Sequence, residues 1–187
     1  MGRFNLSKGE RFKIAKSEGL SKIKVVLDWN SDADLDASTF LCGDEGVILD
    51  DAGFVFYNSE NREQPFDRAV FGNKRKWMAE TRPMSSDGAV LGSLDDRNGG
   101  LGEQIDVDLD KVDAQVCEIV FVVSIHDEGK TFGDVKDAFI SVVNAKNDEE
   151  LCRYELNEAF TEETALSVAK LVVNEDGDWE FEAVGVG

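Results

Sequence analysis

Short apolar runs broken by polar turns dominate the chain, and helix-period patterns are scarce. Lys22–Asn30 (KIKVVLDWN) is compact and β-branched, as a strand should be. Ala37–Cys42 and Gly46–Leu49 flank Gly43-Asp44-Glu45, which predicts a hairpin. Gly53–Tyr57 (GFVFY) is aromatic and β-branched, and Gln104–Leu109 (QIDVDL) alternates apolar with polar like a half-buried strand. Glu118–Ile125 (EIVFVVSI) is apolar nearly throughout, which predicts a strand covered on both faces. Asp137–Asn144 and Glu150–Asn157 follow. Leu166–Val173 and Trp179–Val184 then flank the glycine-containing loop Asn174–Asp178. Phe132–Val135 predicts a helical turn, and Thr161–Lys170 a helical start.

Strands at this spacing, without long helices between them, predict a mainly β chain: a two-sheet β-sandwich with a few short helical segments. The 187 residues are expected to form one domain, residues 1–187, with an inserted loop at about 59–86. That stretch (SENREQPFDRAVFGNKRKWMAETRPMSS) carries both prolines and little strand alternation, so it predicts an exposed excursion.

Charge narrows the function. Asp and Glu number 39 against 20 Lys and Arg, a net charge of −19. Such a surface repels phosphate backbones and anionic membranes, so nucleic acid is not an expected partner, and cations are favoured. The basic residues cluster in two places. Residues 1–30 hold seven Lys/Arg against three acids, and residues 59–86 hold six against four. No apolar run is long enough to span a membrane. The start, MGRFNLSKGERFKIAK, lacks the apolar core of a secretory signal, so a cytoplasmic location is expected. Cys42, Cys117 and Cys152, odd in number and without CxxC spacing, fit reduced thiols.

Two acidic constellations suit a hard cation. In Asp28–Ser38 (DWNSDADLDAS), Asp32, Asp34 and Asp36 alternate, so an extended backbone would crowd three carboxylates on one surface. The alternatives are an acidic turn open to solvent, or calcium, which takes six to eight oxygen ligands. An EF-hand fails, because a loop starting at Asp32 needs Gly and Glu where Ala37 and Gly43 stand. In Ser93–Glu103 (SLDDRNGGLGE), glycines let carbonyls turn inward while Asp95, Asp96, Asn98 and Glu103 offer oxygens; the other reading is a flexible loop. Asp127, at the end of the most apolar strand, is a further candidate ligand. Catalytic patterns fail: Gly129-Lys130-Thr131 lacks the earlier P-loop glycine, no GxSxG occurs, and the lone His126 has no nucleophile to serve. The chain is not expected to be an enzyme.

Taken in order, the motifs Leu6-Ser7-Lys8-Gly9, Asp34-Leu35-Asp36-Ala37-Ser38, Phe54–Asn58 (FVFYN), Ser86–Val90 (SDGAV), Ile119–Val123 (IVFVV), Ile125-His126-Asp127 and Trp179–Gly185 resemble the tellurium-resistance TerD family of bacterial stress proteins. The resemblance runs through nearly the whole chain. It implies a β-sandwich that binds calcium between acidic loops, with ions held by Asp34 and Asp36 and by the segment around Asp95, Asp96 and Asn98. It also implies a part in resistance to tellurite and other stresses, exerted through protein partners and without a defined catalysis. The family's glycine-rich loop usually reads GDNxTGxGxGDDE. Here it is shorter, and its acidic end is reduced to Gly102-Glu103-Gln104, which predicts either two unequal calcium sites or one alone. The alternative function is a structural or interaction protein of a cellular or phage assembly in which metal is absent or incidental, an oligomer held together by basic segments against an acidic body.

Overall fold

The computed structural model describes residues 3–14, 19–29, 35–93, 103–125, 129, 131–132, 135, 137–156 and 163–187. In chain order the strands are β1 (Phe4–Leu6), β2 (Arg11–Ile14), β3 (Lys22–Asp28), β4 (Leu35–Cys42), β5 (Phe54–Val55), β6 (Val90–Leu91), β7 (Glu103–Asp108), β8 (Glu118–Ile125), β9 (Phe139–Asn144), β10 (Glu150–Glu155), β11 (Ala165–Val173) and β12 (Trp179–Val186). Two short helices, α1 (Arg68–Phe71) and α2 (Lys74–Glu80), lie between β5 and β6. One sheet runs β1-β10-β9-β3-β7-β6 and the other β2-β12-β11-β8-β4-β5. This is the mainly β, two-sheet architecture with few helices that the pattern predicts.

Alternation builds the interior. Ile23, Val25 and Leu27 of β3 turn inward with Ile105 and Val107 of β7. The facing sheet contributes Ile119, Phe121 and Val123 of β8, Leu166, Val168 and Leu171 of β11, and Phe181 of β12. The Phe121 and Phe181 rings meet at 6.4 Å. Each such side chain contributes about 1.5–3 kcal/mol by leaving water. The expectation that β8 is covered on both faces is half met. Val120 and Val122 on its other face are only half-buried, because among the described residues no third layer covers that face.

Several elements differ from the pattern. Gly46–Leu49 forms no strand, only a single bridge from Ile48 to Cys42. Gly53–Tyr57 yields a 3-10 turn at Asp51–Gly53 and the two-residue β5. Among the described residues, the predicted helical start at Thr161–Lys170 is strand from Ala165, since β11 pairs on both sides, with β8 and β12. The charged arm forms strands as well: β1 pairs in parallel with β10, and β2 antiparallel with β12. β1 and β2 thereby close one edge of each sheet. Their charges sit on the outside, where Arg11 pairs with Glu182 at 2.6 Å and Lys13 with Asp178 at 3.4 Å.

The opposite edge, β5 and β6, is bridged by residues 56–89. Asp67 caps α1 by accepting from the Ala69 N–H, and Asn73 caps α2 by accepting from the Lys76 N–H. Phe71 and Trp77 are buried beneath these helices, outside the main core cluster. Arg62 holds the segment together. Buried itself, it donates to the carbonyls of Tyr57, Ser59, Met78 and Thr81 and to the Thr81 hydroxyl. Arg82 ties it to the body, pairing with Asp106 of β7 at 2.7 Å and donating to the Gly92 carbonyl.

Candidate functional site

Of the predicted ligands, Asp36 and Glu103 fall within the described residues. Asp36 is the second residue of β4, and Glu103 opens β7 in the other sheet. The fold brings them to one cleft between the sheets, at the edge formed by β4, β5, β6 and β7. Ala37, Thr39, Val55 and Ile105 form its floor, with Tyr57, Pro83, Gly92 and Ser93 around it. The enclosed space is about 10 Å³, room for about one water-sized particle. Close approach keeps the cleft narrow. A Cβ on Gly92 would stand 2.8 Å from Cγ of Pro83 and 3.3 Å from Cγ1 of Val55, so glycine is what fits there.

The donors fit a hard cation. Among the described residues the lining includes two carboxylates and the hydroxyl-bearing Thr39, Ser93 and Tyr57, all oxygen donors, and no cysteine. Thr39 adds an independent sign. It is 1% exposed, and its Oγ1 has no hydrogen-bond partner. A buried hydroxyl left so costs about 1–3 kcal/mol unless something supplies a contact. Ser93 is already engaged, its hydroxyl donating to the Gln104 carbonyl at 2.7 Å and accepting from the Gln104 N–H at 2.6 Å. Thr39 was not among the sequence candidates. Its signal was there: in Leu35-Asp36-Ala37-Ser38-Thr39-Phe40-Leu41 it occupies an inward position of the alternation.

Asp32, Asp34, Asp95, Asp96, Asn98 and Asp127 lie outside the described residues. Their chain neighbours do converge. Asp32 and Asp34 precede β4, residues 95–98 precede β7, and Asp127 follows β8, whose end pairs Ile125 with Leu35. Among the described residues, no three His, Cys, Asp or Glu come together as a metal cluster.

The cysteines stand apart from the cleft. Cys42 and Cys152 are buried and Cys117 half-buried, none in a disulfide. Burial pushes the Cys152 thiol up to about 12 and raises that of Cys42 as well. Thiolate chemistry is suppressed at both. No helix among the described residues is long and apolar enough to cross a membrane.

A sequence profile described as TerD domain matches residues 3–187. The tellurium resistance protein TerD of Serratia marcescens is 35% identical over 196 residues, covering 98% of this chain and 90% of that protein. General stress protein 16U of Bacillus subtilis (strain 168) is 34% identical, with 98% and 90% covered. A crystal structure of a homologue of telluride resistance protein from Streptomyces coelicolor A3(2) superposes with a TM-score of 0.63 at 22% identity, covering 90% of each chain. That structure supports the sandwich alone, whereas the profile and the sequence relatives together establish that this chain belongs to the TerD domain family.

Proposed function

We propose that the chain is a calcium-binding stress-response module that works in the cytoplasm through protein partners and not as a catalyst. The stress role is supported by relatives named for tellurium resistance and general stress. The observation that carries calcium is the cleft: Asp36 and Glu103 from opposite sheets, with the partnerless Thr39 hydroxyl, line a space of ion size. An ion there would tie the sheets together at their open edge. Asp32, Asp34, Asp95, Asp96, Asn98 and Asp127 complete the proposed donor set, as six to eight oxygens are needed. Bound calcium would supply charge neutralisation and cross-linking of loops, presenting a surface to a partner.

Calorimetric titration of chelated protein tests this reading. One tight calcium event is expected, with a second that is weak or missing, and with magnesium weaker than calcium. Asp34→Asn should abolish the tight event, while Asp36→Asn and Glu103→Gln should each weaken it. Asp96→Asn should act mainly on the weak one. Calcium at about a hundredfold excess over Kd should add about 2.7 kcal/mol to stability. The apo variants should be as stable as the parent, since removing one of several crowded charges relieves repulsion. A melting curve indifferent to chelation and calcium would overturn the metal reading.

A further inference from the structure

The ladder between β6 and β7 ends at the Leu91–Asp106 pair. Past that point two side chains take over the pairing. Ser93 bonds both ways to the Gln104 backbone, its hydroxyl donating to the carbonyl at 2.7 Å and accepting from the N–H at 2.6 Å. Arg82 spans the same two segments. Its Nε donates to the Gly92 carbonyl at 2.7 Å, its Nη2 to the carbonyls of Leu91 and Gln104 at 3.2 and 3.3 Å, and its Nη1 to Asp106 at 2.7 Å. The other Asp106 oxygen accepts from the Gln104 side-chain amide at 2.9 Å. All three guanidinium nitrogens are thereby used, on two strands at once.

This clasp belongs to the wall of the cleft. Pro83, Gly92, Ser93 and Glu103 all line the cleft, and each is bonded by the clasp or is the chain neighbour of a residue that forms it. The Gly92 N–H also donates to the Pro83 carbonyl at 2.8 Å, which lays the Arg82 segment along that wall. The chain leaves the clasp at Ser93 and returns to it at Glu103. Charge alone does not account for a guanidinium here, since a cation beside a proposed cation site weakens it. Its geometry does: the planar fork joins two stretches of backbone that the ladder has released.

We propose that Arg82 is a positioning residue for the calcium site, clasping the two ends of the 93–104 segment so that Ser93 and Glu103 line the cleft before an ion enters. The inference rests on the calcium reading of the cleft. Its physical content is pre-organisation. Without the clasp the two ends separate, and binding must first close the segment and order its side chains. Arg82 comes from the 59–86 stretch, so that stretch serves the site through its C-terminal end and not through its helices. The coupling is reciprocal: calcium steadies the clasp by as much as the clasp favours calcium.

Arg82→Lys and Arg82→Ala, each in the full chain, separate position from charge. Lysine keeps the charge but has no planar fork to span both strands, and alanine removes both. Calorimetric titration of chelated protein should show the tight calcium event weakened about tenfold or more in each variant. Hydrogen exchange at the Gln104 backbone amide, which calcium should slow in the wild type, should be faster in both chelated variants. Lys170→Ala, which removes the ion pair with Glu118 in the opposite sheet, should leave calcium affinity unchanged. Binding at wild-type affinity in Arg82→Lys would overturn the proposal. Tighter binding in Arg82→Ala would overturn it too, by giving Arg82 a purely electrostatic part. Equal weakening in Lys170→Ala would show that general destabilisation is the cause. A wild type that binds no calcium would remove the reading of the cleft itself, an outcome distinct from a wild type that binds tightly beside variants that bind as well. Should Arg82→Ala fail to fold, Arg82→Lys decides alone.

Discussion

Arg62 shows how one side chain can hold an otherwise irregular segment. It is 5% exposed, and its guanidinium meets four carbonyls and a hydroxyl, with its Cζ 5.9 Å from the Trp77 ring centroid. Burial lowers its pKa, partly countered by Glu63, yet an arginine remains charged throughout the working range. Lysine has three donors and no planar fork, so Arg62→Lys strands several acceptors. The expected loss is about 2 kcal/mol, read as about thirtyfold faster native-state hydrogen exchange at residues 77–84, with the sandwich amides unchanged. Cys152 makes a pH prediction. Its thiol is held near 12 by burial against an ordinary value of 9.0. A raised acid favours the neutral form, so its contribution is complete below about pH 9 and is lost as pH rises toward 12. Urea titrations should show stability falling there by about 1.4 kcal/mol per pH unit, and Cys152→Ala should remove that slope. An unchanged slope in the variant would assign it to other groups.

At the scale of elements, the helix pair between β5 and β6 is a folded appendage with its own small apolar centre. Phe66 and Trp77 rings meet at 5.6 Å, and neither Phe71 nor Trp77 belongs to the main core cluster. Its flanks differ, since the Arg62–Pro83 and Met84–Leu91 bridges and the Arg82–Asp106 pair bind them to the body. Replacing residues 64–80 by a short Gly-Ser linker, with both flanks kept, should preserve the β signature in circular dichroism and the calcium response. Loss of all folded protein would place the helices within the folding core. The sequence pattern failed most at short strands. The two-residue β5 and β6 and the three-residue β1 leave no periodicity to detect, and β2 carries charges that alternation discounts. Those charges are stable on edge strands because solvent lies on one side.

For the whole molecule, net charge opposes compactness. The ion pairs are mostly between partly exposed groups, such as Lys170 with Glu118 at 2.9 Å, and each is worth about 0–1 kcal/mol. Screening should therefore relieve more repulsion than it removes attraction. Raising sodium chloride from about 0.05 to 0.5 M should lift Tm by a few degrees, about 1 kcal/mol at this chain length. Calcium should achieve more at far lower concentration if it binds a site. A Tm that falls with salt would mean that the ion pairs outweigh the repulsion.

What the sequence determined by itself was the sandwich and the family. Period-two alternation in β3, β7 and β12 and the apolar run of β8 depend only on neighbours in the chain, and the motifs are local strings. It also named Asp36 and Glu103, because acidic crowding is visible in one dimension. Only the tertiary structure decided that these two, 67 positions apart in the sequence, line one cleft, that Thr39 is its partnerless hydroxyl, and that Arg62 is buried. Those outcomes depend on how two sheets are paired and stacked. Strand order and register are set by the sum of many weak contacts across the interior, and no single segment carries them.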